Sequence, residues 1–191
     1  MCLGTRLNKE KVGNLLVKIT SDLGVVYHTK LLKLLFIIDE TSIEKYGYPI
    51  SWLDYKVWQL GPVPPVIYQD IRFDGHEYLE YINPVKDELG TRIVAVKEFD
   101  DIDFSEAELN LIDAVLKEFG RMSSDDLVQI THEEGGLWKT IVDSKGGEEV
   151  LFEEVNTTPY SIDFKTKIEG DAEKTEIFNN ALENLEFYAS L

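Results

Sequence analysis

The sequence predicts an α+β fold, a mostly helical single domain in which a small antiparallel β-sheet packs around a central apolar helix. Three observations support this class. The chain has 191 residues with 43% hydrophobic content, which is enough to bury a core without disulfides. Residues 31–38 are apolar except for Lys33, so a helix there must be covered from several sides. Residues 54–68 combine an alternating strand pattern, a proline corner and a short helical pattern.

The first two predicted helices are separated by Gly24. The first has Asn8 as its N-cap and presents one apolar face, formed by Val12, Leu15, Leu16, Ile19 and Leu23. The second begins near Thr29 as its N-cap, contains the apolar run and ends at about Tyr46, because Gly47 follows in a position that glycine favours after helices. We expect this second helix to be the centre of the core.

Three segments predict the small sheet. Residues 54–59 alternate polar and apolar side chains, and residues 76–82 and 92–97 are rich in aromatic and β-branched ones. Between the last two segments, Asn83-Pro84 and Gly90 predict turns.

A proline corner follows the first of these strands. Each proline fixes its own φ and biases the preceding residue towards extended geometry, so we expect a stiff structural motif that contains Gly61, Pro62, Val63 and Pro64. A short helix is predicted to begin at Pro65.

Helix signals return after the predicted sheet. Ser105 with Glu108 forms a capping box for a helix that ends at Gly120. The acidic residues before it do not form a calcium loop, because Glu106 stands where that loop requires glycine. A helix capped by Ser123 or Ser124 follows.

Two more helical segments complete the chain. Residues 137–142 have helical spacing, and a last helix begins after Asp171 as N-cap. The acidic, glycine-punctuated residues 144–170 are expected to be the most mobile, with a strand at residues 160–168.

We divide the chain into a core domain at residues 1–142 and a second part at residues 143–191. The second part is an acidic loop with the C-terminal helix, and we expect it to pack on the same domain.

The net charge of −17 limits the partners that the protein can attract. Residues 1–46 contain seven Lys/Arg and five Asp/Glu, whereas residues 47–191 contain twelve and thirty-one. Such a surface repels nucleic-acid backbones and attracts basic proteins, although acidic charge also serves solubility alone. We therefore expect no direct nucleic-acid binding.

The location of the protein is predicted from two absences in the sequence. No apolar run approaches the roughly 20 residues of a membrane span, and Met1 to Gly13 lacks the apolar stretch of a signal peptide. The single Cys2 excludes an internal disulfide framework. We expect a cytoplasmic protein without membrane contact.

The sequence offers no catalytic motif. His28, His76 and His132 each lack a second ligand at metal spacing, and neither a phosphate-binding loop nor a Gly-x-Ser-x-Gly elbow occurs. The helix at residues 123–132 has no Lys or Arg, which makes it a poor DNA-recognition helix. We predict a non-enzymatic protein that needs neither cofactor nor metal.

Three segments resemble the Panacea antitoxin domain family, the SocA/GepA-like group associated with phages and toxin–antitoxin systems. They are the Leu-Leu-Lys-Leu-Leu-Phe helix from Leu31, the Trp-Gln-Leu-Gly-Pro-Val corner from Trp58 to Tyr68, and Thr131-His132 with Trp138. The resemblance covers roughly residues 10–142. The gap between His132 and Trp138 is slightly longer than in the family pattern.

The resemblance implies a helical α+β domain that acts by binding a toxin encoded beside it. The leading hypothesis is direct neutralisation of a cognate, basic toxin. The alternatives are an adaptor that delivers a toxin to a cytoplasmic protease, and an acidic nucleic-acid mimic or phage accessory protein.

Four residues are candidates for partner contact, namely Trp58, Tyr68, His132 and Trp138. Amphipathic aromatic side chains serve equally in cores and as interface anchors. A histidine of this kind is more often structural, so the core interpretation stays open for all four.

Overall fold

A computed structural model describes residues 8–73 and 75–189, with side chains described up to residue 187. Cys2 lies outside these residues. Within them, the predicted α+β class is confirmed, because helices surround one long buried helix and the strands form small antiparallel sheets. Every helix in the described part of the chain is too short or too polar to serve as a membrane span.

The central helix, α2, spans His28–Tyr46 and corresponds to the helix that the sequence predicts at the centre of the core. Its residues 31–39 are all buried, as the nearly continuous apolar run requires. Thr29, predicted as its N-cap, lies inside the helix, and the N-cap is Tyr27, two residues earlier. Gly47 ends it in the left-handed conformation (φ 85°) and donates its N–H to the Ile43 carbonyl.

The other helices pack around α2 or extend from that packed unit. Six of them match predicted helices in position, namely α1 Lys9–Leu23, α3 Pro65–Arg72, α4 Glu106–Phe119, α5 Ser124–Thr131, α6 Leu137–Ser144 and the C-terminal helix α8 Ala172–Ala189. A short helix that was not predicted, α7, lies at Glu148–Leu151.

The predicted helix caps are largely confirmed. Both sides of the capping box between Ser105 and Glu108 are formed. Ser123, rather than Ser124, caps α5, through a second box with Asp126. Asn8 takes the N-cap position of α1 but makes no capping hydrogen bond through its side chain.

The prediction of one sheet is wrong, because the strands form two three-stranded antiparallel sheets. The first has the order β1-β5-β4 and the second the order β3-β2-β6. The strands are β1 Val26–Tyr27, β2 Lys56–Trp58, β3 Gly61–Val63, β4 Ile82–Asp87, β5 Gly90–Ala95 and β6 Thr157–Ser161.

The strand predicted at residues 76–82 and the turn predicted at Asn83-Pro84 are also wrong, whereas the turn predicted at Gly90 is confirmed. Residues 76–81 contain bends and a turn but no strand, and Asn83-Pro84, predicted as a turn, lies inside β4. Because β4 is an edge strand, the missing N–H of Pro84 leaves no ladder partner unpaired. The hairpin turn consists of residues 88–89 between the paired Asp87 and Gly90, and the Asp87 carboxylate accepts the N–H groups of Leu89 and Gly90.

Residues 144–170 contain more regular structure than the expected mobile loop. The strand predicted at residues 160–168 is displaced to β6, and a 3₁₀ helix occupies Phe164–Ile168. The Phe164 ring lies 5.6 Å from the rings of Phe36 and Tyr55. This segment therefore completes a sheet and part of the core, which local sequence patterns did not indicate.

A buried carboxylate fixes the chain between α2 and β2. Asp39 accepts hydrogen bonds from the Ser51 N–H (2.7 Å), the Ser51 hydroxyl and the Tyr55 hydroxyl (2.8 Å). Burial raises the pKa of Asp39 to about 6 even though these donors oppose the shift. Between the two partners, Trp52 has a positive φ of 53°, a conformation that persists only where the surroundings impose it.

Candidate partner-binding site at the proline corner

The corner is a two-residue hairpin that leads into α3. Trp58 pairs with Gly61 across the turn, and Gly61 has a φ of +98°, which favours glycine. Gly61, Pro62, Val63 and Pro64, the predicted structural motif, are all buried. Pro65 then begins α3, as expected for a proline in the first turn of a helix.

Two side chains hold the corner from below. The Lys33 ammonium on α2 donates to the Pro62 carbonyl at 2.9 Å. The Trp138 indole on α6 donates to the Trp58 carbonyl, also at 2.9 Å. A Cβ on Gly61 would lie 2.8 Å from the Thr131 hydroxyl oxygen and 2.9 Å from Lys33 Nζ, so this close approach requires glycine.

His132 stacks on Trp138 beneath the corner. The two ring centroids are 3.6 Å apart and the planes differ by 11°. The buried Nε2 of His132 has no hydrogen-bond partner among the described residues. Burial, together with the positive charges of Lys33 and Lys139, lowers the pKa of His132 to about 4, so the imidazole is neutral at neutral pH.

Lys33 is a buried cation without an anionic partner. It is 1% exposed, and burial lowers its pKa to about 7 because the ammonium is poorly solvated there. Other lysines of this acidic chain reach carboxylates, as Lys11 does with Glu108 at 2.8 Å. Within residues 8–73 and 75–187, no carboxylate comes within ion-pair distance of Lys33.

A cavity of about 230 Å³ opens beside Lys33 and the corner. Its lining consists of six polar residues (His28, Thr29, Lys33, Gln59, Asn156, Thr157) and five apolar ones (Leu32, Trp58, Leu60, Val63, Tyr68). No acidic residue from the described part of the chain lines it. Burial and the charge of Arg72 lower the pKa of His28, whose buried Nδ1 has no partner within the described structure.

Four apolar side chains form an exposed surface at the rim of the cavity, which we call the corner face: Trp58, Leu60, Tyr68 and Phe73. The Trp58 and Tyr68 rings pack edge to face with their centroids 4.8 Å apart, and the centroids of the Tyr68 and Phe73 rings are 6.1 Å apart. Leu60 is 61% exposed and Phe73 68% exposed. Ten other large apolar residues are also exposed among the described residues. Leu60 and Phe73 differ because they adjoin the Trp58–Tyr68 ring pair, and a group of apolar side chains indicates a contact surface where single ones do not.

The structure brings all four candidate contact residues to one region but at different depths. Trp58 and Tyr68 are half-buried on the corner face, and His132 is half-buried below it. Trp138 is fully buried, so any effect of Trp138 on a partner would act through the backbone of Trp58, which it holds.

Sequence reasoning did not select Lys33, His28, Leu60 or Phe73 as site residues. A lysine alone in an apolar helical run is a usable signal, because that pattern already implies burial of a charge. The contribution of Asn156 to the cavity had no such signal, since it depends on the pairing of β6 with β2. Among the described residues, no group of three or more His, Cys, Asp or Glu side chains is placed to hold a metal ion.

The comparisons with known proteins match this same region. Residues 31–139 match the family described as "Antitoxin SocA-like, Panacea domain". A curated relative, Antitoxin SocA from Caulobacter vibrioides (strain NA1000 / CB15N), is 31% identical over 136 residues, which is 71% of this chain and 70% of that protein. No solved structure matches the chain. The family match covers α2 from Leu31 onward, the corner, His132 and Trp138.

Proposed function

The chain belongs to the SocA-like Panacea domain family of antitoxins, and from that premise we propose that it is a non-enzymatic antitoxin that neutralises a cognate protein toxin by direct binding. The toxin is a separate protein whose surface is complementary to the corner face. We place the encounter in the cytoplasm, the compartment expected from the sequence.

The observation that carries this proposal is the corner face on its rigid base. Its backbone is held at the Trp58 and Pro62 carbonyls by side chains from two helices, so little conformational freedom is lost when a partner binds. Aromatic side chains in such positions commonly supply most of an interface's binding energy. The corner face also lies inside the segment that matches the family.

The acidic surface supports a basic partner. A net charge of −17 produces a long-range field that raises the encounter rate with positively charged proteins and falls as salt increases. Apolar anchors and charge then have separate roles, because the anchors set the dissociation rate and the charge sets the association rate.

The test uses the purified product of the adjacent gene as the candidate toxin. Replacing the two protruding side chains, in the double variant Leu60→Ala/Phe73→Ala, is expected to lower its affinity at least tenfold, measured by calorimetry. Neutralisation should also be lost when the variant is co-expressed with the toxin. Both side chains are exposed, so thermal unfolding should remain close to that of the parent protein.

Leu89→Ala is the matched control. Leu89 is 84% exposed in the β4–β5 turn of the other sheet, so its removal tests apolar loss away from the corner face. Equal affinity of the double variant and the parent protein would contradict the proposal. So would neutralisation that occurs only when a cytoplasmic protease is added, because an adaptor needs the protease and direct binding does not.

A further inference from the structure

Lys33, one of the residues that line the cavity beneath the corner, has no anionic partner in the described part of the chain. The Lys33 ammonium has three N–H donors, and among the described residues one acceptor is found, the Pro62 carbonyl at 2.9 Å. A buried cation is ordinarily paired, because an unpaired one loses its hydration without compensation. The chain contains 36 Asp and Glu residues, yet none of those described pairs with Lys33.

Two further polar atoms around this lysine lack partners. His28 lines the same cavity, and its Nδ1 is buried without a hydrogen bond within the described structure. His132 Nε2 is also buried without a hydrogen bond among the described residues. It lies on the same side of Gly61 as Lys33 Nζ, because a Cβ on Gly61 would be 3.2 Å from Nε2 and 2.9 Å from Nζ. Unpaired buried polar atoms are rare in folded proteins. One of these atoms belongs to a residue that lines the cavity and the other lies behind it near Lys33, and together they indicate a site that awaits a polar ligand.

The size and walls of the cavity limit the ligand. Its volume of about 230 Å³ is below the range of roughly 300–1,000 Å³ typical of small-molecule pockets, so it suits one side chain. Trp58, Leu60, Val63 and Tyr68 offer apolar walls for a methylene stem. One ammonium suits a single negative charge, whereas a phosphate dianion would meet one cation on a strongly acidic protein.

We infer that this cavity is a carboxylate-binding site that takes the side chain of a glutamate or aspartate from the bound partner. The carboxylate would pair with Lys33 while the stem lies against the aromatic wall of the corner face. This inference rests on the proposed function, since it names what the toxin inserts. An acidic anchor on a basic toxin is consistent with that proposal, because net charge governs the approach and one side chain governs the final contact.

A model ligand tests the site without any toxin. N-acetylglutamate α-amide carries a single side-chain carboxylate, and N-acetylglutamine amide is its neutral isostere. In an NMR titration of the full chain, the carboxylate should bind saturably in the millimolar range and shift the Lys33 side-chain signals. The neutral amide should bind at least tenfold more weakly. Equal binding of the two ligands, or no saturable binding by either at 50 mM (a concentration of about ten times the expected Kd), would overturn the inference.

Variants identify the group responsible. Lys33→Met keeps the volume and removes the charge, so it should abolish carboxylate binding. Lys117→Met, at an exposed position on α4, should leave it unchanged. If Lys33→Met binds the carboxylate as well as the parent protein does, the assigned site is wrong. The ligand comparison on the unaltered protein remains decisive whatever the stability of the variants.

N-acetylalanine distinguishes a chain-terminal carboxylate from a side-chain carboxylate. Binding of N-acetylalanine that is tenfold tighter than binding of the glutamate ligand would overturn the side-chain assignment.

The failure of this inference and that of the proposed function are also distinguishable. Carboxylate binding with unchanged toxin affinity in the Leu60→Ala/Phe73→Ala variant would contradict the function alone. Loss of toxin affinity in that variant without any carboxylate binding would contradict the inference alone.

Discussion

Lys33 and Asp39 lie six positions apart on the central helix α2, and the difference between them separates a structural site from a binding site. Both are almost completely buried, and burial shifts the pKa of each towards its neutral form. Asp39 accepts hydrogen bonds from two side-chain hydroxyls and from the Ser51 N–H. Lys33 reaches one carbonyl among the described residues. Burial alone therefore does not indicate function, whereas a buried charge that lacks partners does.

The surroundings of the two groups reinforce the contrast. Asp39 faces a segment whose donors converge on it, and its loss would release Ser51 and Tyr55. Lys33 faces a cavity and neutral histidines. The first arrangement stabilises one conformation of the chain. The second leaves a charge available to a ligand and lowers the stability of the unliganded protein.

The largest expected effect is on the Asp39 side of the comparison. Asp39→Ala should lower the free energy of unfolding by about 3–5 kcal/mol, because it leaves several buried donors without an acceptor. Chemical denaturation at pH 7 measures this. Asp103→Ala, at an exposed position, is the control and should change stability by less than about 0.5 kcal/mol. A loss below about 1 kcal/mol for Asp39→Ala would show that the network is not structural.

The opposite sign is expected at Lys33. Lys33→Met should raise the free energy of unfolding at pH 7 by about 1–4 kcal/mol, since an apolar side chain of similar length replaces an unpaired buried cation. The same denaturation experiment measures the gain, with Lys117→Met as the exposed control. A destabilised Lys33→Met would mean that the bond to the Pro62 carbonyl outweighs the cost of burying the charge, and the contrast with Asp39 would disappear.

The sequence predicted much of what places these groups and little of what completes the cavity. The apolar run of α2 and the proline corner are local patterns, so the central helix, the turn and α3 could be predicted from neighbouring residues. The pairing of β6 with β2 joins residues about 100 positions apart. It supplies Asn156 and Thr157 to the cavity, and no local pattern indicates it.

The candidate site divides in the same way. Trp58 and Tyr68 could be selected because amphipathic aromatics beside a rigid corner are typical of interfaces. The exposure of Phe73 follows from where α3 ends, and the number of partners of Lys33 follows from tertiary packing. These facts required the three-dimensional structure.

The smallest predicted effect is a pH dependence that belongs to Lys33 alone. Its pKa is about 7 in the folded protein and near the ordinary 10.5 when unfolded, so between these values the unfolded chain binds more protons and stability rises with pH. Relative to Lys33→Met, the parent protein should therefore gain about 2 kcal/mol in free energy of unfolding between pH 7 and pH 9. Asp39 and His132, with pKa values of about 6 and 4, do not titrate in this interval. A constant difference between the two proteins across it would mean that Lys33 is charged and well compensated in the folded state, like the lysines that pair with carboxylates.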